Sequence, residues 1–301
     1  MKIEKERLWR HLSFLCEEIG PRLSGTPADE RSVAYIASHF ERCGAQVEVQ
    51  DFPCPGWEHE GSELILLNGA HRSLPVFAQT FSNGCDVEAD LAVVGLLHDL
   101  EFRADLEGKI FVLHGEVGRN LAMDRNPTLL AIEERRPAAA IIVSSSAHVS
   151  TKLIRDPFHR VSTVAVSPEV GATLMASESQ RARLKIRARR YESMSHNVIG
   201  SLPGEGSGRI VVGSHYDTAA ECPGAVDNAG GTAAIMELCE VFAENPAGAL
   251  GIDFIAFGAE EYGRHIRALG SVEYIRRHPT EVLETQAMIQ ADGVGMAGER
   301  S

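Results

Sequence analysis

The sequence predicts an α/β fold with a mixed, mostly parallel sheet, joined to a segment of different texture. From residue 196 onward, four apolar strand patterns are interspersed with two helical ones: HNVIGSLP, RIVVGSH, LGIDFIAFG and AMIQADG against GGTAAIMELCEVFAE and SVEYIRRH. Strands that alternate with helices are typical of a largely parallel sheet covered on both faces. Between about residues 60 and 190, short strands and turns predominate, and this segment is predicted to be mainly β with one helix near 128–135.

Two helices and a strand are predicted before that segment. Apolar residues recur at helical spacing over residues 5–19, and Gly20-Pro21 ends this helix. Thr26 as N-cap and Pro27 as the first helical residue begin a second helix that ends at Gly44. Residues 46–52 alternate as in a strand, and the Pro/Gly cluster at 53–56 predicts a domain boundary.

The most basic stretch of the chain, RARLKIRARR at 181–190, has two interpretations. It contains a concentration of positive charge that could form a binding patch. However, its basic residues alternate with Ala182, Leu184, Ile186 and Ala188. This alternation favours one strand with a solvated basic face.

Composition limits the class of protein. Of 301 residues, 29 are Lys or Arg and 42 are Asp or Glu, so the formal net charge is −13. Such a chain repels phosphate backbones, which argues against a nucleic-acid partner. The six cysteines form no C-x-x-C pair and are expected to be reduced. No signal-peptide pattern and no apolar run of about 18–20 residues is visible, so we expect no membrane partner and a cytoplasmic location.

Polar groups follow three of the predicted strands directly. His215-Tyr216-Asp217 follows one strand, Glu260-Glu261 a second and Asp292 a third. Ligands of open α/β sheets bind outside such strand ends, so these side chains are expected to converge. Asp227 lies in the loop PGAVDNAGG, where Gly230 and Gly231 are expected to let the backbone approach a bound group.

Each of these groups alone has an ordinary structural interpretation. The His-x-Asp pair occurs by chance, a Glu pair after a strand suits a helix start, and one Asp often caps a turn. Together they place several carboxylates and one imidazole at a single point, which is costly unless a cation neutralises them. This donor set suits Zn²⁺, with Mn²⁺ and Co²⁺ as alternatives. The H-E-x-x-H, G-x-S-x-G and phosphate-loop motifs of other enzyme classes are absent from the sequence.

The segments that carry these residues resemble the co-catalytic zinc aminopeptidase family, which includes glutamate carboxypeptidases, glutaminyl cyclases and the transferrin receptor ectodomain. The resemblance rests on NVIGSLPG, VVGSHYDT, PGAVDNAGGTAAIMEL, IAFGAEEYG and MIQADGVG, and on the N-terminal IGPRLSGTPADERSVAYIASHF. It implies a three-layer α/β/α zinc-peptidase core formed by residues 1–58 and 191–301. It also implies that residues 59–190 are similar to an inserted protease-associated domain.

The resemblance implies a role for each candidate residue. His215 and Asp292 would hold one zinc ion, Asp227 would bridge two ions and Glu261 would hold the second. Glu260 would be the general base, and Asp217 would orient the His215 ring. A cis peptide bond would follow Asp227. The implied activity is hydrolysis of peptide substrates by an exopeptidase, with removal of N-terminal residues as the main hypothesis.

This sequence departs from the family pattern at the second zinc. A further His is expected after the last core strands, yet the sequence stops nine residues after Asp292, so we expect a truncated chain. His196 and His265 are poor replacements. Two alternatives remain open. One is a carboxypeptidase acting on acidic C-terminal residues through Arg264 and Arg267. The other is a non-catalytic binding protein with a decayed metal site.

Overall fold

The computed structural model describes residues 2–67, 71–119, 121, 126–154, 156–206, 208–246, 248–261 and 269–295. These residues form two compact units, one from the described parts of 2–56 and 192–295 and the other from those of 57–191. The chain passes from one unit to the other within two long strands, Gln46–Leu66 and Arg181–Leu202. Within the described residues, no helix is both long enough and apolar enough to cross a bilayer.

The described elements are numbered here in chain order. The α-helices are α1 (Lys5–Ser13), α2 (Pro27–Arg42), α3 (Leu97–Phe102), α4 (Gly115–Arg119), α5 (Pro127–Glu134), α6 (Pro168–Met175), α7 (Gly230–Glu244), α8 (Leu269–Arg277) and α9 (Pro279–Glu284). The strands are β1 (Gln46–Leu66), β2 (Arg72–Leu74), β3 (Phe77–Ala78), β4 (Cys85–Val94), β5 (Ile110–Leu113), β6 (Ala139–Val143), β7 (Thr163–Val166), β8 (Arg181–Leu202), β9 (Arg209–His215), β10 (Gly251–Phe257) and β11 (Thr285–Gln290).

The sheet of the first unit has the order β11-β9-β10-β8, and β1 pairs with β8. Strands β9, β10 and β11 are parallel, whereas β8 is antiparallel to β10. One face of the sheet is covered by α2 and α7, through a core that includes Phe40, Met236 and Phe254. Tyr274 of α8 packs with Phe257 in a second cluster. The predicted α/β class with a mixed, mostly parallel sheet is confirmed.

The N-terminal helices follow the predicted start and stop signals. The helix that begins at Lys5 continues as a π-helical turn over Phe14–Ile19 and ends at Gly20, whose φ is +81°. The Thr26 side chain accepts a hydrogen bond from the Asp29 backbone N–H at 3.4 Å and so caps α2. These boundaries confirm the prediction from local sequence.

The second unit contains more helix than predicted. Its sheet has the order β8-β4-β5-β6-β7-β3, with β4 to β7 parallel. Four helices, α3 to α6, lie in this unit where the sequence predicted one. Strands still predominate among the described residues of this unit, and three of its four helices were not predicted, because helices of five to eight residues are too short to show helical periodicity. The similarity to a protease-associated domain stays a prediction.

The Pro/Gly cluster at 53–56 was predicted as a domain boundary, and the two units divide after Gly56. The cluster does not interrupt β1, which continues to Leu66. Phe52 and Cys54 are buried, whereas Pro53 is exposed and Pro55 half-buried, so the side chains alternate between the two faces as in a regular strand. The solvated basic face of β8 is confirmed, since Arg183 pairs with Asp86 at 2.8 Å and Arg187 with Glu63 at 2.9 Å. None of the six cysteines forms a disulfide bond in the structure.

Candidate metal centre

The candidate site is built at the carboxyl ends of the three parallel strands. The central strand β9 ends at His215, which pairs in register with Phe257 at the end of β10. Glu260 and Glu261 follow β10, and Asp292 follows β11 on the other side. Because the three strands are parallel neighbours, their following residues reach the same edge of the sheet, as predicted.

His215 is the centre of this group. Its side chain is 1% exposed, and its Nε2 atom makes no hydrogen bond. Carboxylate oxygens of Asp227, Asp292 and Glu260 nevertheless lie 3.0, 3.6 and 4.0 Å from Nε2. Ligand atoms of His215, Asp227 and Asp292 all lie within 4.8 Å of one another.

This geometry fits a zinc ion. Bond lengths of about 2.0–2.2 Å place two ligand atoms of a tetrahedral zinc roughly 3.3–3.5 Å apart. The distances from His215 Nε2 to Asp227 and Asp292 lie on either side of that value. A buried imidazole nitrogen without a hydrogen bond, facing carboxylates, is the arrangement that a dication would satisfy.

The negative charge around His215 also favours a bound cation. Burial lowers the pKa of His215, but the nearby carboxylates of Asp217, Asp227 and Glu260 outweigh this effect and raise that pKa to about 10. Without another cation, the surrounding carboxylates therefore hold a proton on the ring. A metal ion would take the place of this proton.

Asp217 connects the histidine with the loop after β10. The Nδ1 atom of His215 lies 3.2 Å from the Asp217 carbonyl oxygen and 3.4 Å from its carboxylate. The same buried carboxylate accepts hydrogen bonds from the backbone N–H groups of Glu260 and Glu261, at 3.1 and 3.0 Å. A donor bond from Nδ1 leaves the Nε2 lone pair directed at the carboxylates.

The loop before α7 brings Asp227 to the site. Its peptide bond to Asn228 is cis, as the resemblance implies. The Asn228 side chain donates to the Ala291 carbonyl at 2.9 Å and accepts from the Gly231 N–H at 3.1 Å. A side chain at Gly231 would collide with the Ala291 carbonyl. The close approach at Gly230 and Gly231 is thus to the chain that follows β11, and their role beside a bound group stays a prediction.

Sequence analysis did not identify a buried arginine side chain that contacts the chain following His215. Arg22 is fully buried and donates to four carbonyl oxygens, those of Leu15, Gly20, Tyr216 and Pro223, at 2.8–2.9 Å. These bonds fix the N-terminal segment against the chain that follows His215. The signal in the sequence was only an arginine after Gly20-Pro21, and no local pattern distinguishes it from a surface residue.

The other predicted residues have different outcomes. Glu261 is 8% exposed and accepts from the Ala219 N–H at 3.1 Å, but it is not a member of the three-residue group around His215. His196 lies 3.9, 3.7 and 3.6 Å from carboxylate oxygens of Asp29, Glu30 and Asp51. The histidine at 265 and the arginines at 264 and 267 lie outside the described residues.

Comparisons with known proteins relate this chain to peptidases. Residues 197–301 match the sequence model of Peptidase family M28. Over 96% of its length the chain is 29% identical to Aminopeptidase YwaD of Bacillus subtilis (strain 168), of which it covers 62%. It is 23% identical to Carboxypeptidase Q of Bos taurus, covering 96% of this chain and 65% of the relative.

Solved structures show the same likeness. The aminopeptidase from Aneurinibacillus sp. strain AM-1 is 29% identical with a TM-score of 0.75, over 98% of this chain and 71% of that one. BSAP, a zinc aminopeptidase from Bacillus subtilis, is 28% identical with a TM-score of 0.79, over 98% and 70% of the two chains. The chain thus spans about 60% of the length of the curated relatives it matches. These comparisons confirm the resemblance drawn from the sequence, and the residues that match the model of Peptidase family M28, 197–301, include most of the candidate metal centre.

Proposed function

We propose that this chain carries the catalytic centre of a zinc-dependent exopeptidase that removes residues from the N-terminus of peptides. One observation carries the proposal: the buried Nε2 atom of His215 has no hydrogen bond and faces carboxylates of Asp227, Asp292 and Glu260 within 4.0 Å. The names of the relatives support it, since YwaD is an aminopeptidase and BSAP a zinc aminopeptidase.

The described residues provide more ligands for one zinc ion than for a second. His215, Asp227 and Asp292 would hold the first zinc. Asp227 and Glu261 would contribute to a second, which has fewer donors among the described residues and is therefore held more weakly. When bound, zinc supplies a Lewis acid that polarises the scissile carbonyl and lowers the pKa of a bound water to about 7.

Glu260 is placed to move the protons of the hydrolysis. Its side chain is 43% exposed, so water and substrate reach it, while its backbone N–H is fixed by Asp217. In the proposed reaction its carboxylate accepts the proton of the attacking water and then delivers it to the nitrogen of the leaving amine. Asp217 positions both Glu260 and the His215 ring without contacting the substrate.

The substrate class distinguishes the proposal from its alternatives. An aminopeptidase requires a free N-terminus and hydrolyses aminoacyl amides. A carboxypeptidase, as one relative is named, would hydrolyse N-blocked peptides, and the acidic C-terminal preference considered from the sequence would appear there. A non-catalytic binding protein would hydrolyse neither class, even when loaded with zinc.

The test compares hydrolysis of free and N-acetylated aminoacyl amides before chelation, after chelation and after zinc is restored. Glu260→Gln should reduce turnover by roughly 10²–10⁴-fold, the usual contribution of a general base, and should retain zinc. Glu101→Gln, an exposed glutamate of the second unit, is the matched control and should leave turnover unchanged. Activity that survives chelation, or that Glu260→Gln retains, would contradict the proposal.

A further inference from the structure

A second group of metal-ligating side chains lies away from the candidate metal centre. His39 and Cys43 occupy adjacent turns at the end of α2, four residues apart and therefore on one face of the helix. Glu240 projects from α7, which packs against α2. The ligand atoms of these three residues all lie within 4.8 Å of one another.

The spacing inside this group matches a metal site. The His39 Nε2 and Cys43 Sγ atoms are 3.5 Å apart. Zinc bonds of about 2.0 Å to nitrogen and 2.3 Å to sulfur, at a tetrahedral angle, place the two atoms roughly 3.5 Å apart. The carboxylate of Glu240 completes the group and also lies 3.2 Å from the Arg7 guanidinium, so an ion would share this carboxylate with Arg7.

The surroundings admit an ion. The three side chains line a cavity of about 420 Å³ that is open to solvent, together with Arg42, Ala243 and Glu244. His39 itself is 4% exposed. Its Nε2 atom lies 2.9 Å from the Met236 carbonyl oxygen, and an ion would replace this hydrogen bond, while the Met236 carbonyl keeps the helical hydrogen bond of α7.

We propose that His39, Cys43 and Glu240 form a second, independent site for a borderline-soft dication such as Zn²⁺ or Co²⁺, with water completing the coordination. One sulfur, one imidazole and one carboxylate form a donor set that such ions prefer over Mg²⁺ or Ca²⁺. An ion there would connect the end of α2 to α7 and stabilise the first unit. The site does not depend on the proposed peptidase activity.

The sulfur ligand makes the site separately observable. The candidate centre around His215 has only nitrogen and oxygen donors, so a sulfur-to-cobalt charge-transfer band in the near ultraviolet can arise only from a cysteine. The whole chain, reduced and with its free thiols counted, is titrated with Co²⁺. We expect the band at saturation to correspond to one thiolate-bound cobalt per chain, in addition to the cobalt that the His215 centre takes up.

Variants identify the ligands. Cys43→Ser should abolish the band, and Glu240→Gln should weaken cobalt binding roughly tenfold or more. Cys222→Ser, which alters an exposed cysteine, is the matched control and should leave the band intact. Cys239, whose thiol hydrogen-bonds Cys43, tests the assignment further, because Cys239→Ser should also keep the band. Absence of the band in the unmodified chain, or its persistence in Cys43→Ser, would overturn the proposal.

Discussion

Replacing Asp217 by Asn tests whether this buried carboxylate connects the loop after β10 to the metal ligand. The carboxylate accepts two backbone hydrogen bonds, from Glu260 and Glu261 at 3.1 and 3.0 Å, and faces His215 Nδ1 at 3.4 Å. Asn keeps one acceptor and turns an NH₂ group toward the other N–H. One charge-assisted bond is lost and a buried donor is left unpaired, at a cost of about 1.5–3 kcal/mol of unfolding free energy.

The same substitution should weaken zinc binding. The neutral amide polarises the His215 ring less than the carboxylate does, and substitutions of such supporting groups weaken metal affinity by roughly 10–100-fold. Affinity is measured by competition with a chromophoric chelator, and stability by urea unfolding of the chelated protein.

A matched carboxylate separates the two effects. Asp99 in the second unit also accepts two backbone hydrogen bonds, from Gly95 and Leu96 at 2.9 Å each. Asp99→Asn should lower stability by a similar mechanism and leave zinc affinity unchanged. If Asp217→Asn binds zinc as tightly as the unmodified chain, or if both variants weaken binding equally, the positioning role of Asp217 is refuted.

Three more outcomes are expected. Arg7→Met should lower the unfolding free energy by roughly 3 kcal/mol in urea titrations, because it leaves the buried Glu237 carboxylate, 2.7 Å from the guanidinium, without its counter-charge. Burial raises the pKa of Asp29 from 3.8 to about 7, so the fold favours the protonated carboxyl. Stability relative to Asp29→Asn should therefore be highest below pH 4 and fall as the pH rises through about 7, as unfolding at several pH values would show. Finally, Cys43→Ser removes the proposed site at the end of α2, so any zinc it keeps belongs to the His215 centre. After zinc loading and dialysis, elemental mass spectrometry should find one tightly held ion, because Glu261 lies outside the group of His215, Asp227 and Asp292. Two equally retained ions would contradict this.

Strand periodicity in the sequence was enough to predict part of the site. Apolar runs marked the strands, and the polar residues immediately after them had to reach one edge once β9, β10 and β11 proved parallel. His215 and Asp292 were therefore identifiable from local sequence and one topological rule. Asp227 was found by its loop, which the strand rule does not cover.

The buried charged residues of the first unit were not predictable in this way. Arg22, Asp29 and Glu237 have fully buried side chains, and each has at least one partner distant in sequence, namely Tyr216 for the first two and Arg7 for the third. Hydrophobic patterning assigns charged residues to the surface, since burial of a charge is favourable only with partners that the fold supplies. The continuous strand through Pro53 and Pro55 was missed for a related reason, because proline interrupts a strand only where its N–H is needed.

The electrostatics of His215 link metal binding to pH. In the absence of a metal ion its neighbours raise the pKa of the ring to about 10, so at neutral pH the ring is protonated and Nε2 carries a proton. A zinc ion must displace this proton, and binding therefore releases it to solvent. As the pH falls the proton competes more strongly, so zinc affinity should fall as well. The carboxylates that attract the zinc ion thus also strengthen the binding of the proton that competes with it. The Nε2 atom of the buried ring can bind the proton or the zinc ion, but not both.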